Sequence, residues 1–561
     1  MPPKPRIAHL AGPNATIQNT PPLVTSNKAR ARHGLKPRPH PDGSPARFDA
    51  LRPQRLAAPV TVYVEQFSAH PLERDAAALY APPDGWMDAA GKVHPVPTGP
   101  ADTPVYEITL APEDGLYPLP YMARQADLSP WEEDGARPLA GAEASRQPFF
   151  PDGSRSFEEI DRLHVGPEGL GNEIAARAEV DFFRVLPPAG YTQGLPAARR
   201  TDTPLPGEAG DIPPERRGRD FFPYRPAPLE ASPPRSALAR ATNTVQAVLG
   251  AGTYDGAIWT QGSPRIEETL YWFNLLLDVP VPVCGNAAQR LHGSIGNDGP
   301  HNLVAAVTYI ASRVWADAAG RNRAGMVLIQ DQRIFAAREA MKVDARPGGY
   351  VATGGHGGIL GATGHETGGP VLLHLPATRH TWHSALRLSE LPATVPGLRG
   401  PVAVKDAAGH LLGAAIPKVR IVKDASYESD DEEDPAREVD LLAAIADNLG
   451  RMPLAGFVVE GLNPYGRVQS RSRHAVLRRA LYSGMPVVCT GRGNTEGFAQ
   501  GGGGFIGGSN LTATKARLLL MAGLLKLGAP PAAADPDHPT AAERAATHAV
   551  IEAYQAIFAT H

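Results

Sequence analysis

Apolar residues between about 236 and 370 alternate between short runs and helix-period segments. This alternation predicts a parallel sheet whose strands are joined through crossover helices, the arrangement typical of α/β folds. The predicted strands are short apolar runs: 255–260, 279–284 and 325–330. Periodic segments ending near 276 and 316 predict the helices between them.

A second, smaller α/β unit is predicted over residues 441–561. Its strands are the apolar runs GFVVEGL and MPVVCTG, and its helices span about 473–483 and 513–527. The segment 379–440 is interpreted as a linker that carries the acidic run SYESDDEEDP. A charge run of this kind favours an exposed loop.

The first 235 residues are punctuated by proline and glycine, and their pattern changes twice. A strand at Ile7–Leu10 belongs with the large α/β domain, which we assign to 1–45 and 176–378. Residues 46–175 contain short alternating runs such as VYEITL, which predict an inserted β-rich domain. The apolar stretch AEVDFFRVL then predicts a return to a buried strand.

Composition narrows the classes of partner. The formal net charge is −3 and the sequence pI is about 6.7, without the basic excess that nucleic acid attracts. We expect no nucleic-acid partner, no membrane partner and a cytoplasmic location, because no run approaches the length of a membrane span and the first residues lack the apolar core of a signal peptide. Cys284 and Cys489 lie in separate apolar runs, which predicts buried thiols rather than a disulfide.

The segment TQGSPRIEET, residues 260–269, predicts a strand, a sharp turn with a hydroxyl and then a helix. Such turns hold reactive groups in α/β enzymes. A serine followed by proline is also the pattern of a helix N-cap with proline at the first helical position. Ser263 is therefore a candidate both for a cap and for a catalytic hydroxyl.

Several motifs resemble the bacterial-type asparaginase and glutaminase family. DGAIWTQGSPRIEETLYWF is similar to the family's second active-site motif, DG-apolar-THGTDT-x-EET. Four further segments resemble family motifs in the same order along the chain: NATIQN, GNDGPHNLVAAV, VLIQDQRIFAAREAMKV and GFIGGSNLTATKARLLLMAGL. The resemblance covers about 5–35 and 178–530, and it implies an asparaginase-like two-domain architecture.

The resemblance also implies a chemistry and a set of site residues. The family hydrolyses amides through an acyl-enzyme, which needs a hydroxyl nucleophile and a base. Carried over by position, the loop threonine of the family falls on Thr16, the sheet threonine on Ser263 and the lysine base on Lys342. The candidate substrate-binding residues are Gly262, Asn286 and Tyr191. If burial lowers the pKa of Lys342, that lysine and Ser263 are a sufficient pair for the chemistry.

Two positions depart from the family pattern. The family aspartate that helps to hold the α-ammonium of asparagine falls on Pro264, so we expect a substrate without an α-amino group. The family tyrosine that follows its first threonine has no counterpart, because no tyrosine occurs between Thr16 and Tyr63. Its role falls to His33 or to a tyrosine of the insertion, or it is lost. If it is lost, Ser263 attacks first.

Three functions therefore remain open. The first is an amidohydrolase that cleaves the C–N bond of a small-molecule amide or cyclic amide. The second is an asparaginase or glutaminase proper, and the third is an inactive relative that serves as an interaction scaffold. We expect no metal and no organic cofactor, because the metal-like spacing of His380 and His383 lacks a third ligand and favours a solvated loop. By resemblance, we expect a homodimer or homotetramer.

Overall fold

A computed structural model describes the chain over fifteen segments. They are residues 4–12, 16–17, 54–55, 60–64, 85–88, 93–110, 116–117, 177–184, 227–228, 234–290, 298–345, 348–353, 358–364, 368–493 and 498–561.

Within these segments the chain forms 24 strands, seven α-helices and four short 3₁₀ turns. The strands are β1 (Arg6–Ala11), β2 (Thr16–Ile17), β3 (Gln54–Arg55), β4 (Val60–Val64), β5 (Gly85–Met87), β6 (Val93–His94), β7 (Thr103–Leu110), β8 (Leu116–Tyr117), β9 (Glu179–Arg184), β10 (Ala227–Pro228), β11 (Gly256–Thr260), β12 (Val283–Asn286), β13 (Val327–Gln330), β14 (Arg333–Ala336), β15 (Ala340–Lys342), β16 (Tyr350–Ala352), β17 (Ile359–Ala362), β18 (Val371–Leu372), β19 (Thr394–Gly397), β20 (Gly400–Ala403), β21 (Lys418–Lys423), β22 (Ala455–Glu460), β23 (Val487–Thr490) and β24 (Ile506–Gly507). The helices are α1 (Ala237–Gly250), α2 (Arg265–Leu276), α3 (Gly299–Ser312), α4 (Val439–Arg451), α5 (Arg471–Tyr482), α6 (Ala513–Leu527) and α7 (Ala541–Thr560). The 3₁₀ turns are Thr381–His383, Leu388–Glu390, Gly413–Ala415 and Pro435–Arg437.

The large sheet has eight strands in the order β18-β17-β14-β13-β12-β11-β1-β9. The five strands from β9 to β13 run parallel, and the three beyond them are antiparallel. This confirms the predicted α/β class, because helices α1, α2 and α3 alternate with the parallel strands as the sequence pattern requires. In such sheets the binding site lies at the carboxyl ends of the strands.

Helix α2 is covered around most of its circumference, since ten of its twelve residues are buried. A helix buried all round packs against neighbours on both sides. One side packs on the large sheet so closely that a Cβ on Gly285 would lie 2.1 Å from a methyl carbon of Leu270. Helix α6 of the smaller unit also contacts α2. The helix that starts beside Ser263 is therefore held by both units.

The smaller unit is built on a four-stranded parallel sheet in the order β21-β22-β23-β24. The sequence predicted β22, β23, α5 and α6 to within a few residues. The predicted start of this unit at 441 needs correction, because strand β21, which precedes residue 441, pairs with β22 along its whole length. The segment 379–440 thus supplies the first strand of this sheet rather than only a linker.

The described part of 46–175 is antiparallel β-structure. Four strands form a sheet in the order β4-β7-β5-β6, and β3 pairs with β8. This agrees with the predicted β-rich insertion.

Three other sequence predictions concern local features. The acidic run is exposed, as expected, but ion pairs bind it to α5, with Glu428 on Arg473 at 2.9 Å and Glu433 on Arg471 at 2.5 Å. Cys284 and Cys489 are buried free thiols, which confirms the expectation. In the part of the chain that the structure describes, no helix is long and apolar enough to cross a membrane.

Candidate active site

Ser263 lies in the turn that joins the carboxyl end of β11 to α2, and it is half-buried. The helix begins at Arg265, and Pro264 stands in the N-cap position without a side-chain cap. The interpretation of Ser263 as the N-cap is therefore wrong, because the helix starts one residue later than the sequence pattern predicted. Its hydroxyl is not used to cap the helix.

The hydroxyl of Ser263 instead accepts a hydrogen bond from Tyr350. The phenol oxygen of Tyr350 lies 2.8 Å from Ser263 Oγ. Tyr350 is 2% exposed, and burial raises its pKa, so the phenol keeps its proton and acts as a donor. A donor at this distance stabilises negative charge that develops on the serine oxygen.

Lys342 is placed beside the same tyrosine by a short hairpin. Strands β15 and β16 pair antiparallel, and Lys342 is the cross-strand partner of Tyr350. Directly opposed residues of an antiparallel pair project to the same face. Lys342 Nζ accordingly lies 5.6 Å from the centroid of the Tyr350 ring. Ser263, Tyr350 and Lys342 therefore form a continuous cluster, which we call the Ser-Tyr-Lys cluster.

Tyr350 is a residue that sequence reasoning missed. It lies in a glycine-rich stretch, ARPGGYVATGG, with no period that marks it as buried. The only signal was its short distance along the chain from Lys342. That signal becomes meaningful only with the hairpin register, and contact with Ser263 spans 87 positions of sequence.

Two further side chains hold Lys342 in place. Its Nζ donates to the side-chain oxygen of Gln289, and its backbone N–H donates to Glu267 Oε2 at 2.6 Å. Glu267 projects from the first turn of α2 and is 6% exposed. Helix α2 thus fixes Lys342 through a carboxylate and Ser263 through the turn that precedes it.

A buried lysine from the smaller unit faces this carboxylate. Lys515 of α6 is 1% exposed and donates at 2.7 Å to the carbonyl oxygens of Glu267 and Ala337. Burial lowers the pKa of Lys515 and raises the pKa of Glu267 to about 7, with the opposite charge of each partner countering both shifts. The floor of the site therefore contains a buried carboxyl group and a buried amine that come from different units.

Replacing Glu267 by glutamine should reduce the decrease in the free energy of unfolding that occurs as pH rises. Glu267 binds its proton more tightly in the folded state than in the unfolded state, so it lowers the free energy of unfolding between about pH 4.5 and pH 7 by up to about 3 kcal/mol. In Glu267→Gln that loss disappears. Denaturant unfolding at several pH values in this window measures the difference. Glu552→Gln, on an exposed position of α7, is the control, and equal slopes in all three proteins would contradict the assignment.

Asn286 ends β12 beside the site and is 2% exposed. Its amide nitrogen donates to the carbonyl oxygens of Asn302 and Ile329, at 3.0 and 3.3 Å. Its amide oxygen accepts no hydrogen bond from the described residues. The neighbouring carboxylate of Asp298 accepts from the backbone N–H groups of Gln289 and Arg290, which ties the loop after β12 to this network.

The other sequence candidates have different outcomes. Gly262 precedes Ser263 in the turn, and its carbonyl oxygen accepts from the backbone of Ile266 at 3.3 Å. Thr16 lies in β2 at the carboxyl side of β1, where its backbone pairs with Pro228. Tyr191 lies outside the described residues. The substrate-binding and catalytic roles of these residues, and of Asn286, stay predictions.

His380 is not in a solvated loop, which corrects the sequence interpretation. It is 2% exposed, and burial lowers its pKa to about 3, so it is neutral. Its ring packs against that of His383 with centroids 4.1 Å apart. Among the residues with described positions, no group of three or more potential ligands could hold a metal ion. The expectation of no cofactor stays a prediction.

Comparison with known proteins shows which family these residues resemble. Residues 235–357, which contain Ser263, Lys342 and Tyr350, match the family model described as Asparaginase, N-terminal. The match covers the part of the chain that holds the Ser-Tyr-Lys cluster. The resemblance seen in the sequence motifs is thereby confirmed.

Curated relatives match the chain over limited lengths. It is 35% identical over 108 residues to an L-asparaginase from Bacillus licheniformis, which covers 19% of this chain and 32% of the relative. It is 27% identical over 147 residues to a glutaminase-asparaginase from Acinetobacter glutaminasificans, covering 26% and 41%. The chain thus spans well under half the length of these two relatives.

A solved structure also aligns with the chain. It is that of a protein described as a probable cytoplasmic L-asparaginase from Campylobacter jejuni. The two are 20% identical with a TM-score of 0.45, and the alignment covers 69% of this chain and 94% of the other.

Proposed function

We propose that the protein is an amidohydrolase that cleaves the C–N bond of a small-molecule amide or cyclic amide without an α-ammonium group. The observation that carries the proposal is the hydrogen bond from Tyr350 to Ser263 with Lys342 against the same ring. A hydroxyl nucleophile, a neutral donor and a side-chain amine are groups that acyl transfer requires, and here they lie around one tyrosine ring. All three lie in the part of the chain that matches the asparaginase model.

The reaction proceeds in two halves. Ser263 Oγ attacks the amide carbon while its proton passes toward the amine of Lys342, and the amide nitrogen leaves as ammonia or an amine after taking up a proton. Tyr350 donates to the serine oxygen during proton removal. Water then attacks the acyl-serine ester and releases the acid. Thr16, which corresponds to the loop threonine of the family pattern, is the other candidate nucleophile.

The absence of an α-ammonium group follows from the charges around the turn. Position 264 is proline, and the next two carboxylates of the chain are already engaged. Glu267 accepts from the backbone of Lys342 and lies near the ammonium of Lys515, and Glu268 pairs with Arg517. Neither carboxylate is available to pair with a substrate cation without breaking an existing interaction.

Tyr350→Phe should lower kcat by about 10- to 100-fold and leave KM nearly unchanged. The substitution keeps the ring against Lys342 but removes the donor to Ser263, an interaction that strengthens as charge develops on the oxygen. Steady-state kinetics on an amide substrate measures the effect. Tyr465→Phe, on a side chain that is 64% exposed, should match the unaltered protein. An unchanged kcat in Tyr350→Phe would show that the Tyr350 hydroxyl has no role in the mechanism.

A further inference from the structure

A cavity of about 470 Å³ lies between the two units, apart from the Ser-Tyr-Lys cluster. Its walls come from the first turns of α1 and α2 in the large unit and from β21 and α6 in the small one. Gln261, which lines it, lies two positions before Ser263 in the sequence. The cavity therefore reaches the back of the catalytic turn.

The walls carry a large excess of positive charge. Five cationic side chains line the cavity: Arg235, Arg265, Lys418, Arg420 and Arg517. Glu268 is the one carboxylate among the lining residues, and it pairs with Arg517. Asp447, behind the wall, pairs with Lys418 at 2.6 Å and with Arg420 at 3.1 Å. Among the lining residues, five cationic side chains thus stand against one carboxylate.

Arg235 has no carboxylate partner among the described residues. Its Nε donates to the carbonyl oxygen of Ile416 at 2.9 Å, and a terminal nitrogen lies 3.6 Å from the sulfur of Met452. A carbonyl and a thioether leave most of the guanidinium's donors to the cavity or to water. This arginine can accept an anionic partner without losing an ion pair.

Gln261 supplies a second, independent donor. Its side-chain oxygen accepts from the indole N–H of Trp259 at 2.9 Å, which fixes the amide with its nitrogen as the remaining polar group. Gln261 lines the cavity, so this nitrogen is the part of the side-chain amide that remains to donate to a ligand acceptor there.

Apart from Thr269, the rest of the lining is apolar. Leu238, Leu518 and Met521 form one side of the cavity, and the last two are buried. A cavity with convergent donors on one side and aliphatic side chains on the other matches a ligand that has a charged end and an apolar body.

We propose that this interdomain cavity binds a small organic anion, held by Arg235, Arg420 and the amide of Gln261, with its apolar part against Leu518 and Met521. Carboxylates and phosphates share this chemistry, because arginine donates to both in the same bidentate geometry. The proposal does not depend on the proposed amide hydrolysis. The ligand would contact both units.

Isothermal titration calorimetry on the full chain at low salt tests the proposal with three probes of similar apolar body. Benzoate and phenyl phosphate carry the charge, and benzyl alcohol is the neutral control. At least one anion should bind about tenfold or more tightly than the alcohol, and the tighter of the two identifies the anionic group. Equal affinity for all three probes would overturn the proposal.

Variants locate the site. Arg235→Gln should weaken binding of the preferred anion by about 10- to 100-fold. Arg399→Gln is the matched control, because Arg399 also donates to a backbone carbonyl, that of Gly450, and does not line the cavity. Leu238→Trp should block binding by filling the cavity without changing its charge, and thermal denaturation checks that each variant is folded. Unchanged affinity in both Arg235→Gln and Leu238→Trp would place the anion elsewhere and refute the assignment.

Discussion

Ser263→Ala should reduce kcat for amide hydrolysis by about a thousandfold or more, and Lys342→Met should reduce it to a similar degree. The serine oxygen is the atom that forms the acyl-enzyme, and the lysine is the only amine placed against Tyr350 in the described structure. When two groups act together, removing either one already abolishes most of their contribution to kcat. The kcat of the double variant should therefore be little lower than that of either single variant. Ammonia release under saturating substrate measures all three.

Matched controls separate catalysis from folding. Ser426→Ala and Lys423→Met change the same residue types at exposed positions and should keep full activity. Thr16→Ala decides the order of attack. If Thr16 attacks first, single-turnover acylation disappears in that variant, whereas with Ser263 as the nucleophile acylation persists in Thr16→Ala and disappears in Ser263→Ala. Full turnover in Ser263→Ala would contradict the proposed mechanism.

Substrate preference should favour succinamic acid over L-asparagine by a factor of roughly 30 to several thousand in kcat/KM. The two molecules differ only in the α-amino group. With proline at position 264, the α-ammonium of asparagine enters the site without the carboxylate that the family provides. An ion left unpaired in a buried site costs an estimated ~2–5 kcal/mol, which corresponds to that factor.

Pro264→Asp sharpens this test. The new carboxylate should raise kcat/KM for asparagine by about tenfold or more, because it pairs with the α-ammonium. It should lower kcat/KM for succinamic acid, because that substrate is an anion without an ammonium group. Pro370→Asp, at a half-exposed position outside the turn, controls for the replacement of a proline by aspartate. Efficient and preferential hydrolysis of asparagine or glutamine by the unaltered protein would instead establish an asparaginase or glutaminase proper.

Local sequence determined the elements that carry the site. The predicted strands at 255–260 and 325–330 and the helix at 513–527 agree with β11, β13 and α6, because hydrophobic period and length are local properties of the chain. The motif around Ser263 and the motif around Lys342 were likewise readable as short patterns. The sequence also indicated the family, which the match over residues 235–357 confirms.

Tertiary structure alone decided which side chains meet. The start of α2 at Arg265 freed the hydroxyl of Ser263 from the capping role that the local pattern favoured. Tyr350 entered the site because hairpin pairing places it opposite Lys342, and Lys515 because α6 of the smaller unit packs on α2. These contacts join positions that are separated by 87 and 248 residues along the chain. Periodicity reports which face of an element is apolar, but it carries no information about which distant element will cover that face.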